Sequence, residues 1–224
     1  MRPGSDVLST LDVRRLGVVS YDTAVELQKN LVEERRAGRI GDTLLLLEHP
    51  PVITLGVRTR GGSSNIRASA SRLDEAGVVV RESGRGGDVT FHGPGQLVGY
   101  PIFDLKPDRC DVHQYVRDLE SALIAALREF GIEGRRVQGL TGVWAGPAGR
   151  EEKVAAIGIR ISRWITSHGF ALNVSADLSY FDLIVPCGIA DRTVTSIEQL
   201  IGRPVPMPEV EDAVIRGIQG VFHR

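Results

Sequence analysis

Hydrophobic positions recur with two different periods along the chain, and these periods predict a mixture of helices and strands. A spacing of three and four residues runs through 22–37, 112–130 and 209–222, which predicts three long helices, and 69–76 predicts a short one. Short apolar or alternating runs predict strands. The clearest of these runs are 11–16, 43–48, 52–55, 78–81, 88–92, 97–101, 141–144, 154–163 and 166–174.

The order of these elements indicates a fold class. Strands come in adjacent runs separated by the longer helices, without the regular strand–helix alternation of a doubly wound sheet. Neither an internal repeat nor a linker divides the 224 residues. We therefore expect one α/β domain of mixed α+β character over residues 1–224, with largely antiparallel sheets flanked by helices.

Composition excludes several classes of protein. The net charge of −1 argues against a nucleic-acid binder, and the longest apolar runs are too short to cross a bilayer. The two cysteines, Cys110 and Cys187, lack the spacing of a zinc site. We expect a cytoplasmic, monomeric protein with free thiols, no metal, and neither nucleic acid nor membrane as a partner.

Cys187 has the more suggestive surroundings of the two thiols. It lies between Pro186 and Gly188, which fix the approach of the chain and remove side-chain bulk, so that the segment can present a thiol at a bend. A nucleophile and a small buried hydrophobic residue are both compatible with this context.

Lys153 is one of three lysines and precedes the apolar run Val-Ala-Ala-Ile-Gly158. Its ammonium either extends to solvent or lies beside a thiol, where it would lower the thiol pKa and supply thiolate near neutral pH. In the second arrangement it would also serve as a general acid or base.

Two glycine-containing segments have the character of a ligand-binding surface. The run from Arg85 to His92 is a glycine turn that leads into a predicted strand, and small residues there let the backbone approach a ligand closely. His168-Gly-Phe-Ala-Leu-Asn173 is a second histidine–glycine unit. Neither has the strand–glycine–helix context of a dinucleotide site, and no phosphate-binding loop is found, so we expect no cofactor.

Four motifs, taken in their order along the chain, resemble those of the lipoyl(octanoyl) transferase family. They are RGGDVTFHGPGQLVGYP from Arg85, KVAAIGIR from Lys153, HGFALN from His168 and IVPCGI from Ile184, and the resemblance extends over about residues 10–220. It implies the catalytic fold of lipoate and biotin protein ligases. Two departures are the phenylalanine at position 91, where tyrosine is common, and the small pair Ala155-Ala156.

The resemblance also implies an activity and a set of site residues. Octanoyl is moved from octanoyl-acyl carrier protein to a lysine of lipoyl domains, those of 2-oxo-acid dehydrogenases and the glycine cleavage H protein. Cys187 carries the acyl group as a thioester and Lys153 lowers its pKa. The substrate-binding positions implied are Arg85, Gly86, Gly87, Asp88, Val89, Thr90, Phe91, His92, Ala156, Ile157, Gly158, Gly169, Phe170 and Ala171.

Three alternatives remain open on the sequence. An ATP-dependent lipoate-protein ligase would need a nucleotide and no catalytic thiol. A non-catalytic protein that binds acyl-carrier or lipoylated partners would keep its activity without Cys187. A cysteine–lysine hydrolase would release free octanoate, because water would intercept the thioester.

Overall fold

A computed structural model describes residues 11–59, 65–185 and 193–223, in which helices and strands follow the predicted order. The helices are α1 Tyr21–Arg36, α2 Ala70–Glu75, α3 Val112–Glu129, α4 Ile197–Ile201 and α5 Met207–Phe222. The strands are β1 Asp12–Val18, β2 Thr43–Glu48, β3 Val52–Leu55, β4 Val79–Glu82, β5 Val89–His92, β6 Gln96–Ile102, β7 Arg135–Val137, β8 Leu140–Ala145, β9 Glu152–Ser162 and β10 Ile165–Asn173.

Side-chain caps explain where the helices begin. Ser20 accepts a hydrogen bond from the Thr23 amide at the start of α1. Asp111 accepts from the amides of His113 and Gln114 at the start of α3, at 2.8 and 3.0 Å. Each cap pairs amide donors that the first helical turn leaves unbonded.

The strands form two sheets. A seven-stranded sheet has the order β1-β2-β6-β10-β9-β8-β7, in which β1 and β2 are parallel and the other neighbours are antiparallel. A three-stranded sheet has the order β4-β3-β5, in which β3 is parallel to β4 and antiparallel to β5. The predicted class, mixed and largely antiparallel sheets flanked by helices, is confirmed.

Helices cover both faces of the large sheet. The main core joins α3 and α5 to one face through residues such as Leu119, Val214 and Leu172. A second core lies under α1 on the other face, around Leu45 and Tyr100. The small sheet has its own core, so it forms a separate wall beside the large one.

Two elements were not predicted because their signals are short. Strand β7 has three residues, two of them arginines, and α4 has five residues. Such segments form through their neighbours and not through periodicity of their own. Within the described ranges, no helix has both the length and the apolar composition needed to cross a bilayer.

Candidate active site

A cavity of about 420 Å³ lies between the small sheet and strands β8, β9 and β10 of the large sheet. This volume is in the range of small-molecule sites. Thirteen of the fourteen substrate-binding positions expected from the sequence line it, and so does Lys153. These thirteen are Arg85, Gly86, Gly87, Asp88, Val89, Thr90, His92, Ala156, Ile157, Gly158, Gly169, Phe170 and Ala171.

The pairing of β9 with β10 makes a smooth floor. Ala156 pairs with Ala171, and Gly158 with Gly169, so small residues lie side by side across the two strands. The glycine turn packs directly on this floor, because the Gly86 amide donates to the Ile159 carbonyl at 2.8 Å. A Cβ atom on Gly158 would lie 2.9 Å from the Gly86 carbonyl oxygen, so only glycine permits this approach.

Phe91 is the expected position that does not line the cavity. It is 1% exposed and packs in the core of the small sheet, where its ring stacks on Tyr180 at 4.7 Å between centroids. Successive side chains of a strand point to opposite faces, so Thr90 and His92 face the cavity and Phe91 points away; Val89 shares the face of Phe91 and borders the cavity only at the start of β5. The sequence motif identified the strand correctly but did not separate its two faces.

Arg85 is a buried cation at one end of the cavity, with 8% of its surface exposed. Its Nη2 donates to the Thr54 carbonyl at 2.7 Å and to Thr54 Oγ1 at 2.9 Å, and its Nη1 donates to the Gly86 carbonyl at 3.1 Å. These bonds fix the guanidinium against β3 and brace the glycine turn.

Three histidines and two tyrosines gather around Arg85. His49 Nδ1 donates to the Val19 carbonyl, and its Nε2 bonds to the Tyr100 hydroxyl at 2.8 Å.

The other two histidines are held by one hydrogen bond and by ring contacts. His92 Nδ1 donates to Gln96 Oε1 at 2.7 Å. The His168 ring meets that of Tyr100 edge-on at 6.2 Å. Tyr21 stacks on His92 at 6.5 Å.

Burial keeps these histidines neutral. Burial is the main cause that lowers the pKa of His92 to about 3 and the pKa of His168 to about 4, and the nearby cation of Arg85 contributes to both shifts. Burial also lowers the pKa of His49 and raises those of Tyr21 and Tyr100. At neutral pH these five groups are uncharged, so this end of the cavity combines neutral rings with the fixed charge of Arg85.

Lys153 lies at the other side of the cavity, as the second residue of β9. Its ammonium is 4.8 Å from the centre of the buried Trp144 ring, a cation–π contact across the β8–β9 pair. Lys153 is half-buried, and its side chain therefore does not simply extend into solvent.

A buried carboxylate holds β8 beside Lys153. Glu120 of α3 is fully buried, and its Oε1 accepts from the Gly142 amide at 3.0 Å. Its Oε2 accepts from Arg117 and Arg136, which compensate the buried charge. A Cβ on Gly142 would lie 2.5 Å from the Ala155 carbonyl oxygen, so glycine is needed here for the close approach of β8 to β9.

Cys187 lies outside the described residues, but both ends of its segment are anchored near the cavity. The Val185 amide donates to the Asn65 carbonyl at 2.7 Å, and Asn65 Nδ2 donates to Asp88 of the cavity wall at 2.6 Å. At the other end, the Lys153 amide donates to the Thr193 carbonyl at 3.0 Å. Cys110, in contrast, is exposed and bonds weakly to the Leu105 carbonyl.

Several cavity residues were not identified from the sequence. The further lining residues are Tyr21, Arg58, Tyr100, Val116, Gly139, Leu140, Thr141, Ile159 and His168. Tyr100, Ile159 and His168 lie within the motifs quoted above, which was the signal that could have identified them; the others had none. The described part of the chain contains no group of three or more acidic, histidine or cysteine side chains suited to a metal ion.

Several known proteins that are similar in sequence to this chain are octanoyltransferases. The chain is 51% identical to an octanoyltransferase of Chloroflexus aggregans, with 96% of each chain covered, and 53% identical to one of Rubrobacter xylanophilus, covering 96% of this chain and 95% of that one. It is 49% identical to an octanoyltransferase of Myxococcus xanthus over 96% of its own length, and spans 60% of that relative.

Solved structures share the fold at lower identity. A bipartite lipoate protein ligase from Thermoplasma acidophilum, studied with its E2 lipoyl domain, superposes with a TM-score of 0.75 at 18% identity, covering 96% of this chain and 85% of that one. A biotin protein ligase from Aquifex aeolicus, in complex with biotin and ATP, has a TM-score of 0.58 at 18% identity, covering 95% and 70%. The lipoyl protein ligase A/B catalytic domain model matches residues 20–219. The chain therefore belongs to the lipoyl protein ligase A/B catalytic domain family.

Proposed function

We propose that the protein transfers octanoyl from octanoyl-acyl carrier protein to the lysine of a lipoyl domain, through a thioester on Cys187. The acceptor class includes the lipoyl domains of 2-oxo-acid dehydrogenases and the glycine cleavage H protein, and the reaction takes place in the cytoplasm. The relatives at about half identity are octanoyltransferases.

One observation carries the assignment of roles. The segment that contains Cys187 begins at Val185, bonded to Asn65, and ends at Thr193, bonded to the backbone of Lys153. Both described residues that flank the segment are thus held at the cavity wall, which supports the proposal that the Cys187 thiol reacts there with Lys153 as its proton carrier.

The proposed chemistry follows two steps. In the first, the Cys187 thiolate attacks the thioester carbonyl of octanoyl-acyl carrier protein. The carrier leaves as a thiolate, which takes the proton that Lys153 has held. In the second, the amine of the target lysine attacks the Cys187 thioester, an amide forms and the cysteine thiol is released. The donor is already activated, so neither step consumes a nucleotide.

The cavity suits the acyl chain. Its floor of glycine and alanine leaves room for a linear hydrocarbon, while Ile157, Phe170 and Leu140 add apolar surface. The polar end around Arg85 is already internally bonded, so it does not require a charged ligand.

Transfer to a lipoyl domain tests the proposal. We would mix the purified protein with octanoyl-acyl carrier protein and an isolated lipoyl domain, without nucleotide, and follow the mass of the domain. Wild type and Cys110→Ser are expected to octanoylate the domain, and Cys187→Ser to lose at least a hundredfold in rate. Modification that needs ATP and free octanoate would establish a ligase instead, and release of octanoate alone would establish a hydrolase.

A further inference from the structure

An irregularity in the pairing of β8 with β9 determines which way Lys153 faces. Val143 pairs with Ala155. The next residue of β8, Trp144, pairs with Lys153, so β9 carries one extra residue between the two pairs, as in a β-bulge. If the register of Val143 continued, Lys153 would pair with Ala145, whose side chain belongs to the main core. The bulge therefore turns Lys153 away from the core and places it opposite Trp144.

The backbone of Lys153 is held on both of its edges. On one edge it pairs with β8. On the other, its amide donates to the Thr193 carbonyl at 3.0 Å, and its carbonyl accepts from the Thr195 amide at 3.0 Å. Because the main chain is fixed, the rotatable bonds of the side chain decide where the ammonium lies. Ordering such a long side chain costs conformational entropy, so a fixed ammonium needs a contact that holds it.

Trp144 provides a contact of this kind. The Lys153 ammonium lies 4.8 Å from the centre of the Trp144 ring, whose negative face attracts a cation. The indole is 1% exposed, yet it contributes to none of the three hydrophobic cores formed by the described residues. Its neighbours Val143 and Ala145 face the main core, so the ring points to the opposite side. Core packing therefore does not account for this tryptophan.

An aromatic face suits the proton transfer that we propose for Lys153. A carboxylate beside the ammonium would cancel its charge and engage its protons in strong hydrogen bonds. The ring of Trp144 attracts the same charge through its quadrupole and leaves that charge in place. The ammonium can then direct its N–H groups and its charge towards a thiolate.

We propose that Trp144 is a positioning residue of the acyl transfer reaction, and that its ring holds the Lys153 ammonium in the orientation in which it exchanges a proton at Cys187. This inference rests on the proposed function, because it takes Lys153 to be the proton carrier. Trp144 is not among the described residues that line the acyl cavity, so it acts through the lysine.

Fluorinated tryptophans test the inference, because fluorine withdraws electron density from the ring face and changes the volume of the ring little. The chain has two tryptophans, and Trp164→Phe leaves Trp144 as the only indole. Trp164 packs at the edge of the main core, and its replacement is expected to leave acylation as in wild type. Protein made with mono-, di- and tetrafluorotryptophan would be mixed with octanoyl-acyl carrier protein, and the Cys187 adduct followed by intact mass.

The rate constant of acylation at saturating carrier is expected to fall stepwise, by about tenfold across the fluorinated series. The carrier concentration that gives half of the maximal rate is expected to stay within about twofold, because the ring acts on proton transfer and not on carrier binding. Replacement of the ring gives the same order. Trp144→Phe keeps a weaker aromatic face and is expected to slow acylation less than Trp144→Met, which has none.

Lys153→Met is the control, since it removes the cation that the ring is proposed to hold. In this background fluorination is expected to leave the remaining slow acylation unchanged. Equal rates across the fluorinated series, or the same decline in the Lys153→Met background, would overturn the role of Trp144 while wild-type acylation upholds the proposed function. If wild type forms no adduct on Cys187, the proposed function and this inference both fail.

Discussion

At the scale of single residues, the sequence motifs predicted the lining of the acyl cavity almost completely but not its chemistry. Thirteen predicted positions meet there because β9 pairs with β10 in the large sheet, and the glycine turn before β5 of the small sheet packs on β9 through the Gly86–Ile159 hydrogen bond. The neutral cluster of His49, His92 and His168 was not predictable, since its rings come from β2's end, β5 and β10 and meet only in the fold. The role of Cys187 stays a prediction, because it lies outside the described residues.

Lys153 allows a direct prediction. Lys153→Ala is expected to slow acylation of Cys187 by about 10²- to 10⁴-fold, because it removes the proposed proton carrier beside the thiol. In a Cys110→Ser background, it is also expected to move alkylation of Cys187 by iodoacetamide to higher pH. The exposed Lys106→Ala serves as a control. Acylation as fast as wild type in Lys153→Ala would contradict the proposed role.

The buried histidines predict a dependence of stability on pH. In the unfolded chain each binds a proton below about pH 6.5, while in the folded protein the pKa of His168 is about 4, so its stabilising contribution is present above pH 6.5 and declines as pH falls towards 4. Each such histidine adds about 1.4 kcal/mol per pH unit to the slope of unfolding free energy.

Urea unfolding between pH 7 and pH 5 measures this slope. His168→Asn is expected to reduce it by about one histidine's share, and asparagine tolerates the positive φ of 55° at this position. The exposed His113→Asn is expected to leave the slope unchanged. Identical slopes for wild type and His168→Asn would show that His168 titrates normally in the folded protein.

At the scale of elements, periodicity predicted most strands and helices, and β2 and β3 to the residue. These two strands were predictable because each is a short, almost continuously apolar run that is buried in the fold. The pattern could not predict the order of the strands in the sheet. Strand β10 lies between β9 and β6, and its pairing with β6 joins residues about 70 positions apart in the sequence. Such long-range order depends on the packing of α1 and α3 against opposite faces.

Two glycines of α5 give a matched test of the α3–α5 packing. A Cβ on Gly217 would lie 2.3 Å from the Ala122 carbonyl oxygen of α3, whereas one on Gly220 meets nothing within 4 Å. Gly217→Ala is therefore expected to destabilise the protein by about 1–3 kcal/mol, and Gly220→Ala to stabilise it by up to about 1 kcal/mol. Thermal unfolding of the two variants measures this difference in stability. Stabilisation by both substitutions would show that α3 and α5 are not so closely packed.

At the scale of the whole molecule, the fold is shared with a protein that binds ATP. A lipoate-protein ligase bound with ATP shares the fold, with a TM-score of 0.68 at 17% identity. The difference that we propose is local: a thiol beside Lys153 takes an acyl group that is already activated. That residues 1–224 form a single catalytic domain stays a prediction.

This account predicts the kinetic order of the reaction. Because the carrier leaves before the lipoyl domain reacts, initial rates at varied carrier and domain concentrations are expected to give the parallel double-reciprocal lines of a ping-pong mechanism. Addition of ATP and magnesium is expected to leave the rate unchanged. Intersecting lines would indicate direct transfer within a ternary complex.

The covalent intermediate is the central claim, and intact mass spectrometry tests it most directly. The protein would be mixed with octanoyl-acyl carrier protein alone, without nucleotide or lipoyl domain. We expect a single octanoyl adduct that hydroxylamine removes, that is present in Cys110→Ser and absent in Cys187→Ser. Transfer to a lipoyl domain by a protein that forms no such adduct, or an adduct that persists in Cys187→Ser, would contradict the account.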